Sequence, residues 1–188
     1  MLMTGPMTGL PLVDVGKIAP ETRELLDRLP ARLNLFYMLA HAETCLRPVM
    51  SLGSALLKKL DLDPLLREIA MLRAMYMVGG EYEIVQHVPI AAHVGCSAAQ
   101  LEALKTGVRG DGLFSPVEIA VLDFTEDLTA NTRVSDAVLS ALREHLGDRE
   151  VVELILVIGF YSMMAKVTES TRTTVDAADG IAIATARR

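Results

Sequence analysis

Residues 63–97 read DPLLREIAMLRAMYMVGGEYEIVQHVPIAAHVGCS. They spell two helices joined by a pair of glycines. Asp63 before Pro64 places a capping carboxylate at the start, where free backbone N–H groups need acceptors. Proline follows at the one helical position where a missing N–H costs nothing. Leu65, Ile69, Leu72 and Tyr76 then recur at helical spacing, and Gly79-Gly80 should stop the helix. The second segment, Glu81 to Val94, carries Ile84, Val88 and Ala91 on one stripe. It closes at Gly95, a natural residue just past a helix C-terminus.

The same punctuation continues outward. Ser97 with Gln100, and Ser115-Pro116 with Glu118, form two capping boxes in which side chain and backbone satisfy each other. Ser135 or Asp136 can open a helix that ends near Gly147, and Asp148 can cap a long one running to about Val175. Upstream, Pro20–Leu29 and Leu33–Ala42 read as short helices, and Leu46–Leu60 as a longer one with Pro48 in its first turn. Val151–Ile158 is rich in β-branched residues, but its apolar pattern is too long for a strand, so it is expected as a buried helix. The expected fold is all-α. Residues 13–178 form one helical domain, residues 1–12 a loose arm interrupted by Pro6 and Pro11, and residues 179–188 a frayed tail.

Composition narrows the function classes. A chain of 188 residues, 51% hydrophobic and 22% charged, can bury a core without metals or disulfides. Its mean hydropathy of +0.35 is high for a monomer and points to self-association. A net charge of −6 with scattered basic residues gives phosphate backbones nothing to bind, so no nucleic-acid partner is expected. Cys45 and Cys96 form neither a CxxC pair nor a zinc spacing, and read as buried thiols in a reducing, cytoplasmic setting. No signal-peptide pattern opens the chain. The longest uncharged apolar run, Leu154–Ala165, is shorter than the roughly 20 residues of a bilayer crossing, so no membrane span is expected.

Folding the two helices of 63–97 back along each other places Glu68 and His87 roughly 16 and 10 Å from the glycine turn, depths that nearly match if the turn is centred near Met77. Glu83 and His87 are four apart on one helix face. One imidazole and two carboxylates between packed helices suit proton transfer, because burial and neighbouring charge bring their pKa values towards neutrality. The same spacings also describe an ordinary Glu–His pair on a solvated face and a carboxylate complementing a helix dipole. Arg73 is either a receptor for a substrate carboxylate or half of a surface ion pair. Tyr82 and Tyr161 are either pocket donors or packed core tyrosines. His41, His93 and His145 show no mutual ligand spacing, and no metal site is expected.

The strings REIAMLR (67–73), GGEYEIVQH (79–87) and AAHVGCS (91–97) resemble the signature hairpin of the carboxymuconolactone decarboxylase-like family of the alkylhydroperoxidase D (AhpD)-like superfamily. The likeness runs from about Asn34 onward, is strongest over 64–107, and includes Ile158-Gly159-Phe160-Tyr161. In the thiol-peroxidase branch a Glu precedes a CxxC pair and a His follows the second Cys by four. Glu68 and His87 match the outer two positions, but Gly80 and Glu83 stand where the cysteines would be, which removes the disulfide cycle. The decarboxylase-like branch reads Tyr-Glu-Trp-x-x-His, and Tyr82-Glu83-x-x-x-His87 follows it with Ile84 in place of Trp.

The resemblance implies an AhpD-like helical fold and cofactor-free chemistry on a small carboxylated lactone or related organic acid, through an enolate-like intermediate. It also implies a homo-oligomer, a trimer or hexamer. Under it His87 shuttles the proton, Glu83 orients or polarises it, Glu68 assists, and Arg73, Tyr82 and Tyr161 hold substrate. A noncatalytic binding or assembly protein on the same scaffold is the alternative. A peroxidase stands third.

Overall fold

The structure is a computed structural model that describes residues 9–186. Among them there is no strand. The helices are α1 (Pro20–Asp27), α2 (Asn34–Leu39), a 3-10 turn (Ala40–Ala42), α3 (Glu43–Lys58), α4 (Pro64–Val78), α5 (Glu81–His93), α6 (Ala98–Thr106), α7 (Pro116–Ala130), α8 (Asp136–Arg143), α9 (Asp148–Thr171) and α10 (Gly180–Thr185).

Helix α4 is the axis of the fold, packed against α5, α7 and α9. It is surrounded on all sides, which is why apolar residues occupy nearly its whole circumference: Ile69, Ala70, Met71, Leu72, Ala74 and Met75 have no exposed surface. Its start follows the sequence reading, since the Asp63 carboxylate accepts from the N–H groups of Leu65 and Leu66 at 2.8 and 3.3 Å. Its end does too. Gly79 takes the left-handed conformation at φ +74°, where a side chain would be strained, and its N–H returns to the Met75 carbonyl. The expected capping box forms in full at Ser97/Gln100, and at Ser115 the Glu118 carboxylate accepts from both the Ser115 N–H and its hydroxyl.

Helix α9 is the second core element. Its 24 residues are long and apolar enough to cross a membrane by length and composition, although the longest uncharged run within it is short. Leu154, Val157, Ile158, Tyr161, Met164 and Ala165 are instead buried in the bundle, where α9 packs on α3, α4, α5, α7 and α8. On the opposite side Val152, Ile155, Leu156 and Met163 remain exposed.

Several boundaries differ from expectation. Helix α9 is capped from Gly147, whose N–H donates to Glu150 at 2.9 Å, with Asp148 already inside. It stops at Thr171 rather than near Val175, because Arg172 turns to φ +58°. Helix α3 begins at Glu43, so Pro48 lies inside it instead of in its first turn. Cys96 is buried as expected, whereas Cys45 is exposed, since it falls on the outer face of that lengthened helix. The tail expected to fray from Asp179 folds into α10 and packs on α5. Of the expected arm, residues 1–8 lie outside the described residues. Its end is tied down, with the Leu10 N–H donating to the Thr171 carbonyl at 2.9 Å and the His41 ring nitrogen 2.8 Å from the Pro11 carbonyl.

Candidate active site

The hairpin of α4 and α5 brings Glu68 and His87 into contact: Glu68 Oε2 lies 2.9 Å from His87 Nδ1. The other carboxylate oxygen, Oε1, accepts from Arg67 Nε at 2.9 Å, and Arg67 Nη1 donates to the Leu57 carbonyl at 2.9 Å. All three side chains are buried. Burial alone would push the Glu68 carboxyl up, but the charges and hydrogen bonds of His87 and Arg67 outweigh it and hold the group below the usual carboxylate range. Glu68 is therefore an acceptor, and Nδ1 must carry the proton of this contact. That fixes the tautomer and leaves Nε2 as the atom available for chemistry.

His87 lines a cavity of about 340 Å³ bounded by α2, α3, α5, α9 and α10. Glu83 and Tyr161 line it too. Helical spacing puts Glu83 one turn before His87, and the Thr168 hydroxyl of α9 lies 3.2 Å from both Glu83 oxygens. Burial pushes the Glu83 carboxyl up to about 7, against the pull of hydrogen bonds, Thr168's among them, and of the His87 charge. The Tyr161 ring meets the His87 ring edge to face at 4.6 Å and the Phe160 ring at 5.3 Å. Burial and the nearby Glu68 charge raise the Tyr161 hydroxyl pKa, so it keeps its proton. An acid, a base and a hydroxyl donor thus share one apolar chamber.

The other expected site residues behave differently. Tyr82 contributes its ring to the cavity, but its hydroxyl donates to Asp176 at 2.5 Å and accepts from the Leu35 N–H at 3.1 Å. It holds the chain after α9 against the start of α2. Arg73 does not line the cavity. Its Nε donates to Glu126 at 2.7 Å and its Nη1 to the Leu104 carbonyl at 3.1 Å, in a network on the α6–α7 side that also includes Arg109. Its position on α4, five residues and so about 1.4 turns beyond Glu68, puts it on a different face of the helix from Glu68.

Three contributors carried no local signal as site residues. Arg67 buttresses Glu68. Thr168 meets Glu83 from 85 residues away in sequence. Lys58, on the exposed edge of the cavity, donates from Nζ to the Ala186 carbonyl at 3.0 Å. The glycine at position 80 is required by packing, because a Cβ there would lie 2.9 Å from both Ala165 Cβ and Met75 Sδ. Position 80 therefore has no room for a cysteine without movement of α9 or Met75. Cys96 is no substitute nucleophile, since burial and the charges of Glu118 and Glu68 push its thiol up to about 11. Among the described residues, no group of three His, Cys, Asp or Glu side chains is placed to hold a metal ion.

Comparison with known proteins agrees with the fold. Residues 45–127 match the carboxymuconolactone decarboxylase family. An alkylhydroperoxidase AhpD core protein from Ralstonia eutropha JMP134, described as uncharacterised and peroxidase-related, superposes with a TM-score of 0.78 at 19% identity, over 94% of this chain and 96% of its own. An uncharacterised peroxidase-related protein from Silicibacter sp. TM1040 gives 0.74 at 19% identity, covering 96% and 98%. A protein of unknown function from Agrobacterium tumefaciens gives 0.67 at 22% identity, covering 73% and 95%. No curated protein matches the chain by sequence. At these identities the structural likenesses establish an AhpD-like helical fold.

Proposed function

For a chain that belongs to the carboxymuconolactone decarboxylase-like family and has an AhpD-like fold, we propose cofactor-independent acid–base chemistry at a carbon next to a carbonyl. The observation that carries it is the Arg67–Glu68–His87 relay ending at the cavity wall. His87 Nε2 takes a proton from the substrate carbon. The C–H electron pair becomes the new C=C bond, and the carbonyl π pair moves onto oxygen. The Tyr161 hydroxyl and protonated Glu83 donate hydrogen bonds to that oxygen as charge develops. The imidazolium, stabilised by Glu68, returns the proton to the same carbon or to one conjugated with it, and the second outcome is isomerisation. With a carboxylated substrate, CO2 loss delivers the same enolate without the first proton transfer, and His87, entering that step already as the imidazolium, then protonates the carbon. No electrons are exchanged with a second reagent.

A peroxidase reading fits less well, because Gly80 and Glu83 occupy the dithiol positions. A homo-oligomer, trimer or hexamer, belongs to the same proposal. Exposed Val152, Ile155, Leu156 and Met163 recur at helical spacing along α9, as a covered face would. Sedimentation as a 20.4 kDa monomer would count against it.

The test of function is incubation in D2O with ketones, unsaturated carbonyl compounds and carboxylated lactones, read by mass spectrometry and NMR. Deuterium entering carbon positions, or CO2 loss, is expected for at least one class. Saturable binding with no exchange or turnover across the panel would favour the noncatalytic alternative.

A further inference from the structure

The chamber is rich in apolar wall and poor in cationic groups. Phe36 and Leu39 of α2, Met50 and Leu57 of α3, Phe160 of α9 and Ile183 of α10 all face it. Its volume of about 340 Å³ holds about eleven non-hydrogen atoms, at the roughly 30 Å³ share of one water molecule in the liquid. Polar groups gather at one buried place, around His87, Glu83 and Tyr161.

Among the described lining residues, Lys58 is the one cationic side chain besides the titratable His87. It is exposed and sits on the Ala186 side. The two arginines of α4 are committed elsewhere, Arg67 to Glu68 and the Leu57 carbonyl, Arg73 to Glu126 and the Leu104 carbonyl. Among the described residues no guanidinium or ammonium faces the buried end, so a substrate carboxylate there would lie beside the Glu83 carboxyl and could be paired only by protonating His87, the base itself. Burying it unpaired beside a neutral His87 is costly. A ketone or ester oxygen needs only donors, which Tyr161 and protonated Glu83 supply.

We propose that the site takes an uncharged, largely apolar carbonyl compound of about eleven non-hydrogen atoms. Its oxygen sits at Tyr161 and Glu83, and its hydrocarbon body lies against α2, α3 and α10. A small, multiply carboxylated acid is excluded by the same wall. This substrate class rests on the acid–base reading above, and it directs the reaction towards proton shift rather than CO2 loss.

Binding tests it separately from catalysis. Methyl octyl ketone and nonanoate have equal numbers of non-hydrogen atoms and differ in the charge of the head; nonanedioate adds a second carboxylate. In titration calorimetry near neutral pH, the ketone should bind saturably, nonanoate at least about tenfold more weakly, and nonanedioate not measurably. Ile183→Trp, on the terminal helix and half-exposed, should fill the apolar end and weaken ketone binding about tenfold or more while the melting temperature holds. Nonanoate binding as tightly as the ketone, or unchanged ketone affinity in a folded Ile183→Trp, would overturn the substrate class. Ketone binding without deuterium exchange in any compound would leave the class standing and retire the acid–base reading. Turnover of carboxylated lactones with no ketone binding would do the reverse.

Discussion

Arg67 and Arg73 stand on the same helix, and each directs Nε to a glutamate oxygen, at 2.9 Å for Glu68 and 2.7 Å for Glu126. The side chains of the first pair are 7% and 1% exposed, those of the second 16% and 31%. The first pair leans on His87 and through it on the cavity, and the second closes a half-exposed network with Arg109 on the far side of α4. Identical chemistry therefore serves two ends. Where water is excluded, the arginine keeps a carboxylate ionised so that it can orient an imidazole; where water reaches, the pair ties α4 to α7 and adds little else. Burial, rather than the pair itself, decides which arginine belongs to the site.

The contrast can be broken first at Glu68. Glu68→Ala strands Arg67 in the interior and leaves His87 Nδ1 without its acceptor, so denaturant melts should show a loss of about 3–5 kcal/mol. Glu83 comes next, through pH. Burial pushes its carboxyl up to about 7, well above the ordinary carboxylate value, so the folded protein binds this proton more tightly than the unfolded chain. That contribution is complete below about pH 4.5 and is lost as pH rises through about 7, a change on the order of 3 kcal/mol. Glu68 runs the other way. Its lowered pKa stabilises the fold above about pH 4.5 and fails only in stronger acid. Melting temperatures from about pH 5 to 8 should therefore fall in wild type and fall less in Glu83→Gln.

A smaller effect is expected for Tyr82→Phe, which removes the hydroxyl between Asp176 and Leu35. Stability should drop by about 1 kcal/mol, with faster amide hydrogen exchange in residues 174–186. Arg73→Met should be smallest, within about 1 kcal/mol, and should leave turnover unchanged. A loss of turnover in that variant would return Arg73 to the site.

Much of this was legible because it is local. Asp63-Pro64, Gly79, Ser97/Gln100 and Ser115/Glu118 act through the backbone groups beside them, and all four behave as their chemistry dictates, save that the Ser115 hydroxyl donates to Glu118. The Glu68–His87 contact was reachable because a glycine turn between two helices fixes their relative depth. Arg67 was read past because neighbours in sequence do not share a helix face; its guanidinium reaches Glu68 only by curling within a packed interior. Thr168, Asp176 and α10 join α5 across some ninety residues, where helical periodicity carries no information. The docking of α10 turns on one such contact, the Gly180 N–H donating to Gln86 Oε1 at 2.8 Å.

The role of His87 is tested most directly by the rate of deuterium incorporation at substrate carbon in His87→Gln beside wild type, with folding checked by melting temperature. Glutamine keeps volume and hydrogen-bonding capacity but cannot take up a proton near neutral pH. The rate should fall by at least about a hundredfold in kcat, with little change in ligand affinity. Adding Glu83→Gln should then cost scarcely more than the worse single change, because the two act as one unit. A near-wild-type exchange rate in folded His87→Gln would contradict the assignment and leave the Arg67–Glu68–His87 relay as a buried structural contact.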